Sequence, residues 1–292
     1  MPVLKVYPRG VTGGYVGEPP KGSAPRGRVA GWSADSLGRN TRWLYGVLAD
    51  ELPSEGVAAT LTLRDCPPSP DDWRKLREAL WQRLRRRDLV LLHWVVEWQR
   101  RGVPHLHLAV WLAGLTATQT AEAVAWHWLA VAARYGAAPA AQHVEPMRSA
   151  DCWGRYVAKH ADRGVRHYQR DPSLRPAGWA ESGRMWGHCG DWPTGQPIKL
   201  ELEPEHFERV RHALYTEQAD DAERRGDCDR ARYLRRRLEQ GIQDPADIGL
   251  TEWADAVTVL RLVDSTAGEG ERPALPRRRD EAAPDARPER RS

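Results

Sequence analysis

Two histidines separated by one residue, His105 and His107, are the side chains best placed to do chemistry in this chain. In an extended strand residues i and i+2 point to one face, so the two imidazoles project together while Leu106 and Leu108 turn away. Glu97, on the strand pattern just upstream, joins them if the intervening turn preserves parity. A three-residue loop, Arg100-Arg101-Gly102, puts glycine where a left-handed conformation is needed and sets Glu97 opposite His105. A five-residue loop through Pro104 sets Glu97 opposite His107 instead. Both registers keep the three side chains on one face. Two imidazoles and one carboxylate leave coordination positions open, as a catalytic divalent metal requires. Mixed nitrogen and oxygen ligands suit Mn²⁺, Mg²⁺, Co²⁺ or Zn²⁺, and Mn²⁺ or Mg²⁺ fits phosphate chemistry best. His93 lies on the same face and reads as a wall of the site rather than a ligand.

A second group follows downstream. The stretch SADCWGRYVAKHAD predicts a helix capped by Ser149, on which Tyr156 and Lys159 share a face at i and i+3. A tyrosine hydroxyl is a poor nucleophile at neutral pH because its reference pKa is about 10. A neighbouring cation stabilises the phenolate, and a metal withdraws charge from a scissile phosphate. The combination points to phosphoryl transfer onto tyrosine, with a phosphotyrosine intermediate and a free hydroxyl on the released strand.

The elements that must position these groups are legible as patterns. Residues 57–63 (VAATLTL) predict a strand. After the loop CPPSPDD, a helix capped by Ser69 or Asp71 carries Trp73, Leu76, Leu80 and Leu84 at helical spacing. Residues 89–99 and 105–112 form a strand pair. A second helix begins at Thr116 or Thr118 and closes at Gly136, a short strand covers 142–145, and the Tyr156 helix comes next. This order predicts an α+β fold, an antiparallel sheet with flanking helices of split βαβ type.

Residues 1–42, rich in Gly, Pro and Arg, read as a loose arm, and 43–200 as the main domain. Residues 201–263 read as a charged helical extension, and 264–292, without periodicity, as a disordered tail.

Hydrophobic residues make up 41% and charged residues 29%, an ordinary balance for a chain that folds. The net charge of +4 decides little, but all the basic residues except Lys5, Lys21, Lys75, Lys159 and Lys199 are arginine, whose planar fork suits phosphate. The same bias follows from GC-rich coding. Fourteen tryptophans stand beside one phenylalanine, enough to fill a core and to stack on bases as well. The four cysteines form no CxxC pair, which argues against a zinc ribbon or a disulfide framework. No run of about 18 apolar residues suggests a membrane span, and no GxxxxGK[ST] suggests a helicase, so a cytoplasmic protein is expected.

Taken together, the motifs resemble those of the HUH endonuclease superfamily, specifically the single-tyrosine rolling-circle replication initiator (Rep) proteins of plasmids and phages. ATLTLRD (59–65) is similar to the first Rep motif, EWQRRGVPHLHLAVW (97–111) to the metal-binding motif, and GRYVAKH (154–160) to the tyrosine motif. GRMWGHCG (183–190) resembles a segment that follows the nuclease core in some initiators, and the likeness spans about residues 55–192. Conjugative relaxases place the tyrosine before the histidines, and some phage initiators carry two tyrosines on one helix. Here a single tyrosine follows, with Tyr168 the next one along.

The resemblance implies a five-stranded antiparallel sheet of ferredoxin-like (RRM-like) type. It implies a site-specific single-strand endonuclease and ligase that nicks a hairpin origin, stays linked to the 5′ phosphate and leaves a 3′ hydroxyl as primer. Arg100, Arg101, Arg155, His160 and Arg184 are the expected DNA contacts, and a host helicase and polymerase the expected partners. A non-catalytic origin-binding or copy-control protein, or a single-tyrosine transposase, are the competing expectations.

Overall fold

The computed structural model describes residues 1–15, 31–149, 152–154, 156, 160, 164, 166–239 and 249–268. Its centre is a five-stranded antiparallel sheet in the order β6-β3-β5-β4-β7. These strands are β3 (Gly56–Leu61), β4 (Leu89–Trp98), β5 (Pro104–Leu112), β6 (His143–Met147) and β7 (Trp186–Cys189). Helix α2 (Pro70–Arg85) joins β3 to β4 across β5, and α3 (Ala117–Ala132) joins β5 to β6, which is the expected split βαβ arrangement. β7 is an addition at the outer side of β4, within the stretch 183–190.

Alternation decides what each face meets. Leu106, Leu108, Val110 and Leu112 of β5 pack in one apolar cluster with Trp73, Leu76 and Leu80 of α2 and Val124 and Trp128 of α3. Ala109 and Trp111 face the other side, against Leu44, Tyr45, Trp153 and Tyr156. With both faces covered, β5 is buried along its whole length. The helix starts choose between the caps expected: the Ser69 hydroxyl accepts from the Asp72 amide, and Thr116 forms a capping box with Gln119. Gly136 closes the segment in a left-handed conformation.

The N-terminal expectation is corrected. Residues 1–15 and 31–42 are not a loose arm: β1 (Pro2–Tyr7) and β2 (Gly10–Tyr15) form an antiparallel hairpin, and helix α1 (Ala34–Gly46) starts at the cap Ser33. Residues 16–30 lie outside the described residues. Two of the glycines that suggested looseness, Gly10 and Gly13, are close-approach positions. A Cβ on Gly10 would lie 2.2 Å from the Tyr45 ring, and one on Gly13 2.6 Å from Phe207.

This hairpin is the middle of a second, four-stranded sheet, β8-β1-β2-β9, completed by β8 (Ile198–Glu201) and β9 (Leu250–Glu252). The region 201–263, expected as a helical extension, is largely helical among its described residues and packs with this N-terminal hairpin. Its helices α4 (Pro204–Arg224), α5 (Cys228–Glu239) and α6 (Ala256–Ser265) bury Phe207, Leu214, Leu234 and Leu262 together with Leu4, Val6 and Val11. The expected tail start also shifts, since Asp264 and Ser265 belong to α6, and 269–292 lie outside the described residues. Among the described residues no helix is long and apolar enough to cross a membrane.

Candidate metal centre and tyrosine site

The β4–β5 hairpin takes the shorter of the two expected loops. Gln99 and Val103 close it by a hydrogen bond of 2.9 Å, Gly102 adopts φ 74°, and Glu97 stands opposite His105. His107 pairs one step further, against Val95 on β4 and Thr60 on β3. Ligand atoms of Glu97, His105 and His107 all lie within 4.8 Å of one another, and all three residues are buried. Glu97 Oε2 is 3.2 Å from His107 Nε2 and 3.9 Å from His105 Nε2, while the two Nε2 atoms are 2.8 Å apart.

The donor set fits a divalent cation. Two imidazole nitrogens and a carboxylate oxygen converge on one place, as first-row metals and Mg²⁺-like ions accept them. An outer contact orients one ring, Thr60 Oγ1 lying 3.0 Å from His107 Nδ1, while Gln169 Nε2 lies 3.4 Å from His105 Nε2, on the side where the donors converge. The buried His105 Nδ1 has no hydrogen-bond partner among the described residues.

Glu97 is shared between two sets of partners. Oε2 faces the imidazoles, while Oε1 takes the Arg170 guanidinium at 3.2 and 3.3 Å, both side chains fully buried. Burial alone would raise this carboxyl, but the contacts from His105 and His107 outweigh it and hold Glu97 far below the usual carboxylate range. Arg170 sits on the 3-10 helix Tyr168–Arg170, donates 2.8 Å to the His160 carbonyl, and lies 4.5 Å from the Trp32 ring. It thus ties the metal-competent carboxylate to the helical turn carrying Tyr156 and His160.

Tyr156 is helical and buried, downstream of Ser149, whose hydroxyl accepts from the Cys152 amide as the cap expectation requires. Its hydroxyl lies 2.9 Å from His93 Nδ1, and His93 Nε2 lies 3.0 Å from Asn40 Oδ1 on α1. Burial, with His188 adding to it, pushes His93 well below its ordinary pKa, so the ring is neutral. With Nε2–H donated to the Asn40 oxygen, Nδ1 keeps its lone pair and accepts the hydrogen bond of the Tyr156 hydroxyl. Burial, and then the Glu97 charge, push the Tyr156 phenol well above its ordinary range. The His160 ring lies between the two groups, 4.6 Å from the Tyr156 ring and 4.7 Å from that of His107. Trp153 stacks on Tyr156 at 5.4 Å and Trp43 on His93 at 4.8 Å.

The structure thus brings Glu97, His105, His107, Tyr156 and His160 together. His160, expected at the DNA surface, is 1% exposed and belongs to the interior of the site. Arg100 is exposed and rests over the Tyr168 ring at 5.0 Å. Arg101 is engaged by Gln99 at 2.7 Å and by the carbonyls of Leu63 and Arg64, so it braces the hairpin tip. Arg184 lines a separate cleft of about 770 Å³ with Arg77, Trp81 and Trp94. Trp94 has the parity opposite to His93 and Glu97, so that cleft opens on the other face of the sheet. Lys159 and Arg155 lie outside the described residues.

Sequence reasoning missed Asn40, Thr60, Gln169 and Arg170, and took His93 for a wall. Two of these carried a signal: Thr60 sits on the site-facing parity of its strand, and His93 is four residues from Glu97 on the same face. Asn40 and Arg170 are 53 and 73 residues from their partners and carry no local signal.

Comparison with known proteins gives the family. Residues 56–164, which span the sheet hairpin and the tyrosine, match the family described as replication-associated protein ORF2/G2P. A protein of Xylella fastidiosa (strain 9a5c) named as a replication protein is 40% identical over 92% of this chain and 98% of its own length. A second, from strain Temecula1, is 42% identical over 87% of this chain and 99% of its own. The replication-associated protein G2P of Pseudomonas phage Pf3 is 36% identical over 90% of this chain and 96% of its own. No solved structure matches. The chain belongs to the replication-associated proteins of the ORF2/G2P family.

Proposed function

We propose that this replication-associated protein starts rolling-circle replication as an HUH-type enzyme, cutting one DNA strand at an origin and becoming linked to it through Tyr156. The observation that carries the reading is the contact chain from Tyr156 through the His160 ring to His107, which sets a tyrosine beside three converging metal donors. Glu97, His105 and His107 would hold a divalent cation, Mn²⁺ or Mg²⁺, which supplies charge neutralisation at the scissile phosphate.

The Tyr156 oxygen attacks phosphorus and the bond to the 3′ oxygen breaks. The phenol proton passes to His93 Nδ1, and the released 3′ oxygen takes up a proton from solvent. Asn40 holds His93 in the accepting tautomer, and Arg170 holds Glu97. Lys159 is assigned to stabilising the phenolate. The products are a 5′-phosphotyrosine and a free 3′ hydroxyl, and reversal of the step rejoins ends. The 3′ hydroxyl serves a host polymerase in the cytoplasm, with a host helicase opening the duplex. Arg100 and Arg155 remain assigned to DNA.

The test is incubation of the full chain with single-stranded DNA from its replicon's origin and Mn²⁺, followed by denaturing electrophoresis and mass analysis of the adduct peptide. The adduct is expected on Tyr156, is expected to vanish with chelator or in His105→Ala and His107→Ala, and is expected to be absent in Tyr156→Phe while DNA binding persists. An adduct that survives Tyr156→Phe overturns the assignment. Binding without any adduct in the wild type leaves a non-catalytic origin binder.

A further inference from the structure

The row of residues crossing the four-stranded sheet at Lys5 runs Lys199, Lys5, Thr12, Thr251. Leu4, Val6 and Leu200, of opposite parity, are buried against α4 and α6, so this row faces away from that core. Two of the chain's five lysines therefore stand directly opposite each other on an accessible sheet face. Like charges in that position destabilise a sheet. Among the described residues neither lysine has an ion-pair partner. Glu201, which faces Val3, is the nearest acid on that face of β8. A fold carries such an arrangement at a cost unless an anion offsets it.

The sheet face and α1 enclose a groove of about 1000 Å³. Lys5 lies on one wall and Thr41 and Arg42 on the other, while Tyr15, on the Val11 and Gly13 parity of β2, and Tyr233 line it from the other face of the sheet at the β9 edge. Tyr15 is 50% exposed and Tyr233 43% exposed, high for rings of this size. Arg42 is exposed, while Arg230 pairs with Glu252 beneath Tyr233. The wall formed by α1 is shared: Asn40, adjoining Thr41, holds His93 and through it Tyr156. Gly164, eight residues beyond Tyr156, is on the groove's rim.

Cations beside open aromatic faces recognise unpaired bases on a phosphate backbone, because stacking on a side chain needs bases free of a duplex. We propose that this groove binds single-stranded DNA flanking the nick, Lys5 and Arg42 holding phosphates within it, Lys199 holding one beside it on β8, and Tyr15 and Tyr233 stacking bases at the β9 edge. The inference rests on the strand-nicking reading for its choice of ligand.

The experiment is fluorescence anisotropy on the full chain in chelator, with a labelled oligo(dT) of about 20 nucleotides, so that binding is read without cleavage. Lys5→Gln with Lys199→Gln is expected to weaken binding about tenfold and to flatten the salt dependence by about 1.4 in log–log slope. Tyr15→Ala is expected to lose about tenfold through stacking. Lys5→Gln alone is expected to leave Tm unchanged or slightly raised, because it relieves like-charge repulsion; a purely structural lysine would lower it.

Unchanged affinity in both the lysine pair and Tyr15→Ala overturns the groove, as does equal competition by duplex of the same length. Adduct formation by the wild type is scored separately. A groove that binds oligo(dT) in a chain that never forms an adduct sinks the nicking reading alone. An adduct on Tyr156 with groove variants that bind like wild type sinks the groove alone.

Discussion

In the five-stranded sheet, the face carrying His93, Glu97, His105 and His107 is covered by α1 and the Tyr156 helix. In the four-stranded sheet, the face carrying Lys5, Thr12 and Lys199 is left accessible beside the same α1. Both faces arise from one alternation, apolar side chains toward one layer and polar ones toward the other. Covering changes what the polar row must do. Buried polar groups need partners, and Glu97 has Arg170, His107 has Thr60, and His93 has Asn40 and Tyr156. That mutual pairing fixes rings and carboxylate to defined positions, as a reaction centre requires. Lys199 is exposed and Lys5 half-buried, and neither has an ion-pair partner among the described residues, which leaves them adjustable.

The comparison breaks first where an acid is placed on each sheet. Leu106→Glu puts an unpaired carboxylate into the apolar side of β5 and is expected to cost more than about 4 kcal/mol, read as loss of the cooperative unfolding transition. Thr12→Glu, on the accessible face of β2, is expected to stay within about 0.5 kcal/mol of wild type in urea unfolding. Equal losses would mean that the second face is not open. Arg170→Ala is expected to destabilise by about 3 kcal/mol in the same assay, since it strands Glu97 without its buried cation. A loss within 0.5 kcal/mol, the range of an exposed pair, would remove Arg170 from its positioning role.

Two smaller effects separate the halves of the covered face. His93→Phe keeps the volume against Trp43 but removes the proton acceptor. It is expected to slow adduct formation about 100-fold while leaving Mn²⁺ affinity by calorimetry unchanged. A parallel loss of metal affinity would show that His93 belongs to the metal group after all. Thr60→Val removes the contact to His107 Nδ1 and is expected to weaken Mn²⁺ binding about tenfold. No change in affinity would show that the ring is oriented by packing alone.

Much of the covered site could be read along the chain. Strand parity put His105, His107 and Glu97 on one face, and the caps Ser69, Thr116 and Ser149 marked the helices around them. These are short-range matters, settled by pleat, turn chemistry and orphan amides within a few residues. The arm was misread for the same reason: Gly10 and Gly13 signal looseness locally, and only Tyr45 and Phe207, arriving from elsewhere, turn them into close contacts.

By itself, then, the amino-acid sequence determined the metal-competent triple and the downstream tyrosine, because alternation and helical spacing leave little freedom over such distances. Only the tertiary structure decided how they are joined. The reach of His93 to Tyr156, the Arg170 clamp on Glu97 and the pairing of β1 with β8 all join segments tens to about two hundred residues apart. Such pairings follow from which surfaces bury one another, a property of the packed chain that no local pattern encodes.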